Sequence, residues 1–406
     1  MTRCRSCGSE NLRVFLALGN LPLSDGFLFT DELDREEARY PLDVAFCGDC
    51  TLVQILETVP PEELFGQDYP YYSSFTNTLL DHSRANVEAL IASRNLGSES
   101  LALELASNDG YLLQYYAKAG VPCFGVDPAP GPVEAARKRG IDTVLDFFGF
   151  ELAKKLRAER GGVDVLHANN VLAHVADTNG FVAGIREMLG DDGVAVIEVP
   201  YVRPLIEHRE FDTIYHEHLC YFSVHALDAL FARHGLVLQD FADLDIHGGS
   251  LRLFVGKNAG ERKPRVDERL AEERRLGIDT FEFYADFATR VDELRSSLRS
   301  MIQDIKSRGE TIAGYGAAAK GTILLNACNL TGDLIDYVVD KNVHKQGRII
   351  PGVRIAIREP EALLREMPDY TLILPWNFKD EILEQQAEYR ARGGRFIVPV
   401  PRPVIV

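Results

Sequence analysis

The chain has 406 residues, 46% of them hydrophobic and 26% charged, which is ordinary globular composition and more than one core can use, so two or three domains are expected. The formal charge of −17 repels a phosphate backbone and argues against nucleic acid as partner. No apolar h-region follows Met1, and nothing approaches the roughly 18 uninterrupted apolar residues of a spanning helix, so a soluble, unexported, cytoplasmic protein with no membrane partner is expected.

Four of the seven cysteines form two tight pairs, Cys4 with Cys7 and Cys47 with Cys50. Such knuckles in an intracellular chain suggest metal rather than disulfides. The segment to about residue 68 mixes short apolar runs with turns and with Pro22, Pro41, Pro60 and Pro61, and reads as a small irregular module. A zinc ion held by four thiolates would supply the folding free energy that its modest core lacks.

From about residue 78 an amphipathic helix, Leu79 to Ile91, opens a different pattern. Short apolar runs at 101–105, 123–126, 143–145, 163–166 and 194–197 alternate with helical stretches, the mark of βαβ units on a parallel sheet. After Val199 a long polar insertion holds Tyr215 to Phe222, followed by a helix from Val224 to His234. Two runs close in sequence, Leu236 to Phe241 and Leu251 to Val255, predict an antiparallel edge. Residues 259–308 read as long charged helices, and Thr311 to Gly316 opens a second α/β unit with strands at 337–339, 371–374 and 396–398. The expected domains are therefore 1–68, 69–258 and 259–406, with an α/β fold in the last two.

Glu104-Leu105-Ala106-Ser107-Asn108-Asp109-Gly110 stands where the first strand of the middle unit hands over to a helix. Small residues there admit a ligand close to the backbone, at the end of a parallel sheet where nucleotide-like ligands sit. With one glycine and an acid before the turn, it is closer to a loop that wraps the methionine part of S-adenosylmethionine than to the dinucleotide fingerprint. Asp127, at the tip of the second strand, is placed to take both ribose hydroxyls. Asp146, Phe147, Asn169 and Asn170 would line the remaining wall. A structural turn with a capping acid is the bland alternative.

Tyr215-His216-Glu217-His218 crowds proton-handling groups into one loop. Its spacing suits a metal poorly and acid–base chemistry well: a histidine takes a proton, Glu217 orients or polarises it, and Tyr215 donates to a developing oxyanion. The Gly314 to Gly321 turn, with Lys320 on the following helix, is a plausible diphosphate site or else a vestigial dinucleotide fold. Asp340 stands after the next strand, where a solvated loop acid is as reasonable as a nucleoside ligand.

Six motifs in order now carry a resemblance over nearly the whole chain: the paired cysteines, residues 104–110, Asn169 to His174, Tyr215 to His218, His247-Gly248-Gly249-Ser250-Leu251-Arg252, and Gly314 to Gly321. The chain resembles the sugar C-methyltransferases of branched deoxysugar biosynthesis. The resemblance implies an N-terminal zinc domain, a central Rossmann-like domain binding S-adenosylmethionine through Ala106, Ser107, Asn108 and Gly110, and a C-terminal α/β domain that helps hold a nucleotide sugar. It implies a 4-keto-deoxyhexose on a pyrimidine diphosphate, most often thymidine diphosphate, methylated at C3 through an enolate. His218 is then the expected base, with Tyr215, Glu217 and His174 as partners. Tyr71, Tyr72, His247, Tyr315, Lys320 and Asp340 are expected near the substrate, and a monomer is favoured. A nicotinamide-dependent oxidoreductase using the Gly314 turn and a non-catalytic nucleotide-sugar-binding protein are the competing readings.

Overall fold

The computed structural model describes residues 3–64, 72–75 and 77–406. The N-terminal segment is not irregular. Strands Leu12–Pro22, Arg39–Cys47 and Val53–Ile55 pair antiparallel into a sheet. Alternation buries Leu42, Val44 and Phe46 on one side of the second strand. Pro41 lies beyond the stretch Val44 to Phe46 that pairs with Val53–Ile55, so its missing N–H breaks no ladder there. The fourth strand, Cys220–Tyr221, comes from far along the chain and pairs with Val53 and Gln54. Through it the 215–218 loop is stitched to the N-terminal sheet.

The middle sheet has seven strands in the order Val237–Leu244, Ser250–Gly256, Leu189–Pro200, Val163–Asn169, Ala102–Leu105, Cys123–Asp127 and Thr143–Leu145. The last five are mutually parallel, and Ser250–Gly256 alone is reversed, pairing antiparallel with both of its neighbours. Of the two strands expected at an antiparallel edge, Val237–Leu244 forms it, because Ser250–Gly256 inserts between it and Leu189–Pro200. Helices cover both faces, which is why Ala195, Val196 and Ile197 read as an unbroken apolar run and are wholly buried. From Ala102–Leu105 the chain winds outward one way to Thr143–Leu145, then returns to start Val163–Asn169 on the other side. The crevice at that reversal is where an open α/β sheet binds its ligand.

The stretch after Val199 is neither loop nor polar inside. Helix Val202–Glu207 and a turn at Phe211–Thr213 bury Leu205, Ile206, Phe211, Ile214 and Leu219, so hydrophobic anchors rather than solvent shape the 215–218 loop. Helix Pro264–Leu276 begins with proline in its first turn and is closed by Gly277 at φ 76°. Helix Phe287–Ser307 buries Phe287, Val291, Leu294, Leu298, Ile302 and Ile305, a single 3.6-period stripe. A second seven-stranded sheet follows, ordered Ile349–Ile350, Ile355–Arg358, Val338–Val339, Ile312–Tyr315, Tyr370–Ile373, Arg395–Val398 and Val404–Ile405. Its short outer strands carry too few residues for a pattern to announce them.

Candidate active site

The Sγ atoms of Cys4, Cys7, Cys47 and Cys50 lie within 4.8 Å of one another. Cys4 and Cys50 are 3.5 Å apart and Cys7 and Cys47 3.6 Å. A zinc ion with bonds of about 2.3 Å places tetrahedral sulfurs about 3.8 Å apart, so the donor set fits. Burial pushes the Cys47 thiol up to about 11, and a dication at the centre is what would let such thiols ionise together.

The loop after Ala102–Leu105 is held in an unusual shape: Ala106 and Asn108 both have left-handed φ, 54° and 49°. Three clasps keep it there. The Asn108 N–H donates to Asp127 Oδ2 at 2.8 Å, the Ser73 N–H donates to Asn108 Oδ1 at 2.9 Å, and Asp109 takes the Ser74 hydroxyl and, at 3.2 Å, the Arg139 guanidinium. Gly125 on the next strand is required, since a Cβ there would stand 2.2 Å from Ser107 Oγ. Beside this loop a cavity of about 430 Å³ opens between the strand ends.

Ala106, Asn108, Asp127, Asp146, Phe147, Asn169 and Asn170 line that cavity. Ser107 and Gly110 do not: Ser107 turns inward against Gly125, and Gly110 backs onto Ile141, so both shape the loop from behind. Asp127 oxygens also accept from the Ala129 N–H at 2.8 Å, leaving one lone pair on each oxygen for a ligand. The buried amide oxygens of Asn169 and Asn170 meet no donor among the described residues. Phe147 is 49% exposed at the cavity mouth. Ser73, Tyr111 and Phe181 also line the wall without having drawn notice in the sequence, where a lone serine or aromatic carries no signal.

His174 connects this cavity to the proton-handling loop. It lines the cavity, and its ring stands 4.7 Å from that of His218, edge to face. His218 Nδ1 is 2.9 Å from the Thr213 carbonyl, which can only accept, so the network assigns the proton to Nδ1. Nε2 is then the lone-pair nitrogen, taking the Tyr215 hydroxyl at 2.9 Å. Burial pushes His174 down to about 4 and keeps it neutral. Glu217 is pushed up to about 7, first by burial and then by Asp25, while Ser24 donates to its carboxylate at 2.9 Å. His216 points elsewhere, to the carbonyls of Tyr40 and Pro41, and pins the loop to the N-terminal sheet.

Of the expected substrate residues, Tyr71 lies outside the described residues, and His247 sits in the turn Ile246–Gly248. Tyr72 stacks on His344 at 6.1 Å. Tyr315 ends the strand Ile312–Tyr315, and Asp340 accepts from the Ala317 N–H at 2.7 Å. Lys320 is turned toward the middle unit, donating to Asn377 Oδ1 at 2.9 Å and facing Asp212 and Glu210.

The strand order with one reversed interior strand, the crevice at its turning point and the four-thiol module define a methyltransferase that uses S-adenosylmethionine and carries a zinc-binding module. Three family models match the chain: "Putative zinc binding domain" over residues 4–65, "Methyltransferase domain" over 81–240 and "C-methyltransferase C-terminal domain" over 245–401. The C-methyltransferase NovU of Streptomyces niveus is 36% identical over 405 residues, 99% of this chain and 96% of that protein. The chain belongs to this C-methyltransferase family, the one its motifs resemble. That membership sets aside the nicotinamide and non-catalytic readings. Among solved structures, magnesium protoporphyrin IX methyltransferase from Synechocystis with bound S-adenosylmethionine is 14% identical, covering 44% of this chain and 79% of that one at TM-score 0.33. A methyltransferase from Clostridium acetobutylicum is 10% identical, covering 45% and 93% at TM-score 0.35.

Proposed function

We propose that this enzyme methylates C3 of a thymidine diphosphate-linked 4-keto-deoxyhexose, with His218 as the base that forms the enolate. The observation that carries the reading is the placement of the His218 ring: Nδ1 faces the Thr213 carbonyl, which assigns it the proton, so Nε2 is presented as the basic nitrogen beside Tyr215, one ring away from the cavity. A C–H next to a ketone is the only sugar C–H acidic enough for imidazole to remove. Tyr215, now hydrogen-bonded to Nε2, would release it for the substrate proton and donate to the C4 oxygen as charge develops there. Glu217, raised toward neutrality, can steady that charge as a protonated acid. S-adenosylmethionine, when bound, would supply the electrophilic methyl group that the enolate carbon takes. The protein's part is to hold donor and acceptor in register.

The N–H groups and polar side chains at the C-terminal turn, Tyr315, Lys320 and Asp340 among them, are proposed to take the nucleotide end, with Tyr72 and His247 nearer the sugar. We further place the enzyme in the cytoplasm, a reading supported by cysteines that are all unpaired with one another as disulfides. The test is solvent exchange: a panel of thymidine diphosphate 4-keto-deoxyhexoses is incubated in D₂O with enzyme and S-adenosylhomocysteine. Deuterium should appear at C3 with the parent and not with His218→Ala. Exchange that survives the substitution, or that appears at no carbon of any panel member, overturns the reading.

A further inference from the structure

The carbonyl that fixes the tautomer of His218 belongs to a turn gripped from the other α/β unit. Asp212, in the middle of Phe211–Thr213, is wholly buried, and its Oδ2 accepts from Trp376 Nε1 at 2.7 Å. Its Oδ1 meets no donor among the described residues. Burial lifts this carboxyl to about 6, against the opposing pull of Lys320 and of the indole N–H. The Lys320 ammonium sits 4.4 Å from the centre of the Trp376 ring and so helps fix the indole. Thr213 follows Asp212 directly. Its hydroxyl donates to the Glu210 carbonyl at 2.7 Å, which closes the turn, and its own carbonyl takes the His218 Nδ1 proton.

An indole N–H can only donate, and a buried carboxylate without a donor is costly, so this contact dictates where the turn sits. A shift of the turn would carry the Thr213 carbonyl away from Nδ1 and free the proton to move to Nε2, the nitrogen needed as base. We propose that Trp376 and Asp212 are positioning residues that act through the Thr213 carbonyl to hold His218 in its basic tautomer, making the C-terminal unit a structural part of the proton-transfer site. The proposal rests on His218 being the base of the proposed reaction.

The test reads the histidine directly. Full-length zinc-loaded enzyme with ¹⁵N-labelled histidine is recorded with S-adenosylhomocysteine bound, His218 being identified by its loss in His218→Gln. In the parent the proton is on Nδ1. Trp376→Phe, which keeps a ring but removes the donor, and Asp212→Ala should both shift the resonances toward an Nε2–H or mixed form. Asp212→Asn retains an oxygen for the indole and should keep the parental tautomer. Turnover of a 4-keto sugar substrate should fall on the order of 10- to 100-fold in Trp376→Phe with S-adenosylhomocysteine affinity unchanged. A folded Trp376→Phe with the parental spectrum overturns the proposal. Should that variant not fold, identical spectra for Asp212→Ala and Asp212→Asn overturn it equally. Because the spectrum needs no sugar, a failed exchange assay and a failed tautomer test remain distinguishable.

Discussion

In the middle unit the Asp127 carboxylate accepts from the N–H groups of Asn108 and Ala129, both at 2.8 Å; in the C-terminal unit Asp340 accepts from those of Ala317 and Asn342, both at 2.7 Å. Each acid stands at the end of the second strand of its unit, Asp127 as its last residue and Asp340 just after it, one oxygen clasping the loop after the first strand and the other capping the residue two places on. The surroundings differ. Beside Asp127 lies a 430 Å³ cavity with two buried amide oxygens in its wall that meet no donor among the described residues. Around the C-terminal loop neighbours press closer to the turn: Lys345 donates to the Ala317 carbonyl at 2.7 Å, and a Cβ on Gly316 would lie 2.6 Å from the Pro375 ring. The clasp alone is thus a device for folding a strand-to-helix turn. What favours the middle loop as the proposed cofactor site is the room beside it and the amide oxygens there that lack a donor among the described residues.

If the chemistry belongs to the middle unit, the largest single loss should come from His218→Ala, with kcat falling about 10³-fold while S-adenosylmethionine affinity stays within twofold. Single-turnover rates and calorimetry on the same preparation check both halves. A substitution at Asp340 that cost turnover as heavily at saturating substrate would break the division of labour.

Next in size is the clasp itself. Asp127→Ala removes two charge-assisted bonds that shape the loop and the acceptor for the ligand, and should weaken S-adenosylmethionine binding by about 2 kcal/mol or about 30-fold. Asp340→Ala should leave that affinity unchanged and raise KM for the nucleotide sugar. Titration of both variants with S-adenosylmethionine decides it, and equal losses would mean that the two loops are not functionally distinct.

The sequence made this comparison visible only in part. Both loops and both acids stood out, because small residues after an apolar run and an acid about 20 residues on are local patterns. Emptiness is not local: nothing in Gly314 to Gly321 says that Lys345 and Pro375 occupy the neighbouring space. The N-terminal sheet was illegible for a similar reason, since its fourth strand, Cys220–Tyr221, arrives from the middle unit. The Trp376 to Asp212 contact joins residues 164 apart in the chain, beyond any periodicity. The 215–218 loop, in contrast, could be found from composition, while His216 turning to the N-terminal sheet could not.

The smallest effect separates the units by the sign of their response to pH. In the middle unit burial raises Glu217 to about 7, so its folded-state value lies above the unfolded one of 4.5. The stability it contributes is present in full below pH 4.5 and is lost as pH rises through 7. In the C-terminal unit Asp369 is lowered by the N–H and hydroxyl of Thr311, so its smaller contribution is present above the unfolded value and is lost only as pH falls. Between pH 5 and 8 the C-terminal unit should therefore be indifferent while the middle unit weakens. Glu217→Gln, which keeps the protonated shape at every pH, should gain on the parent by on the order of 2 kcal/mol across that range. In thermal unfolding this appears as a melting-temperature difference of roughly 5 °C that grows with pH. A difference that is flat from pH 5 to 8 would place Glu217 in a wetter, less strained setting than the buried pocket beside Ser24 and Asp25.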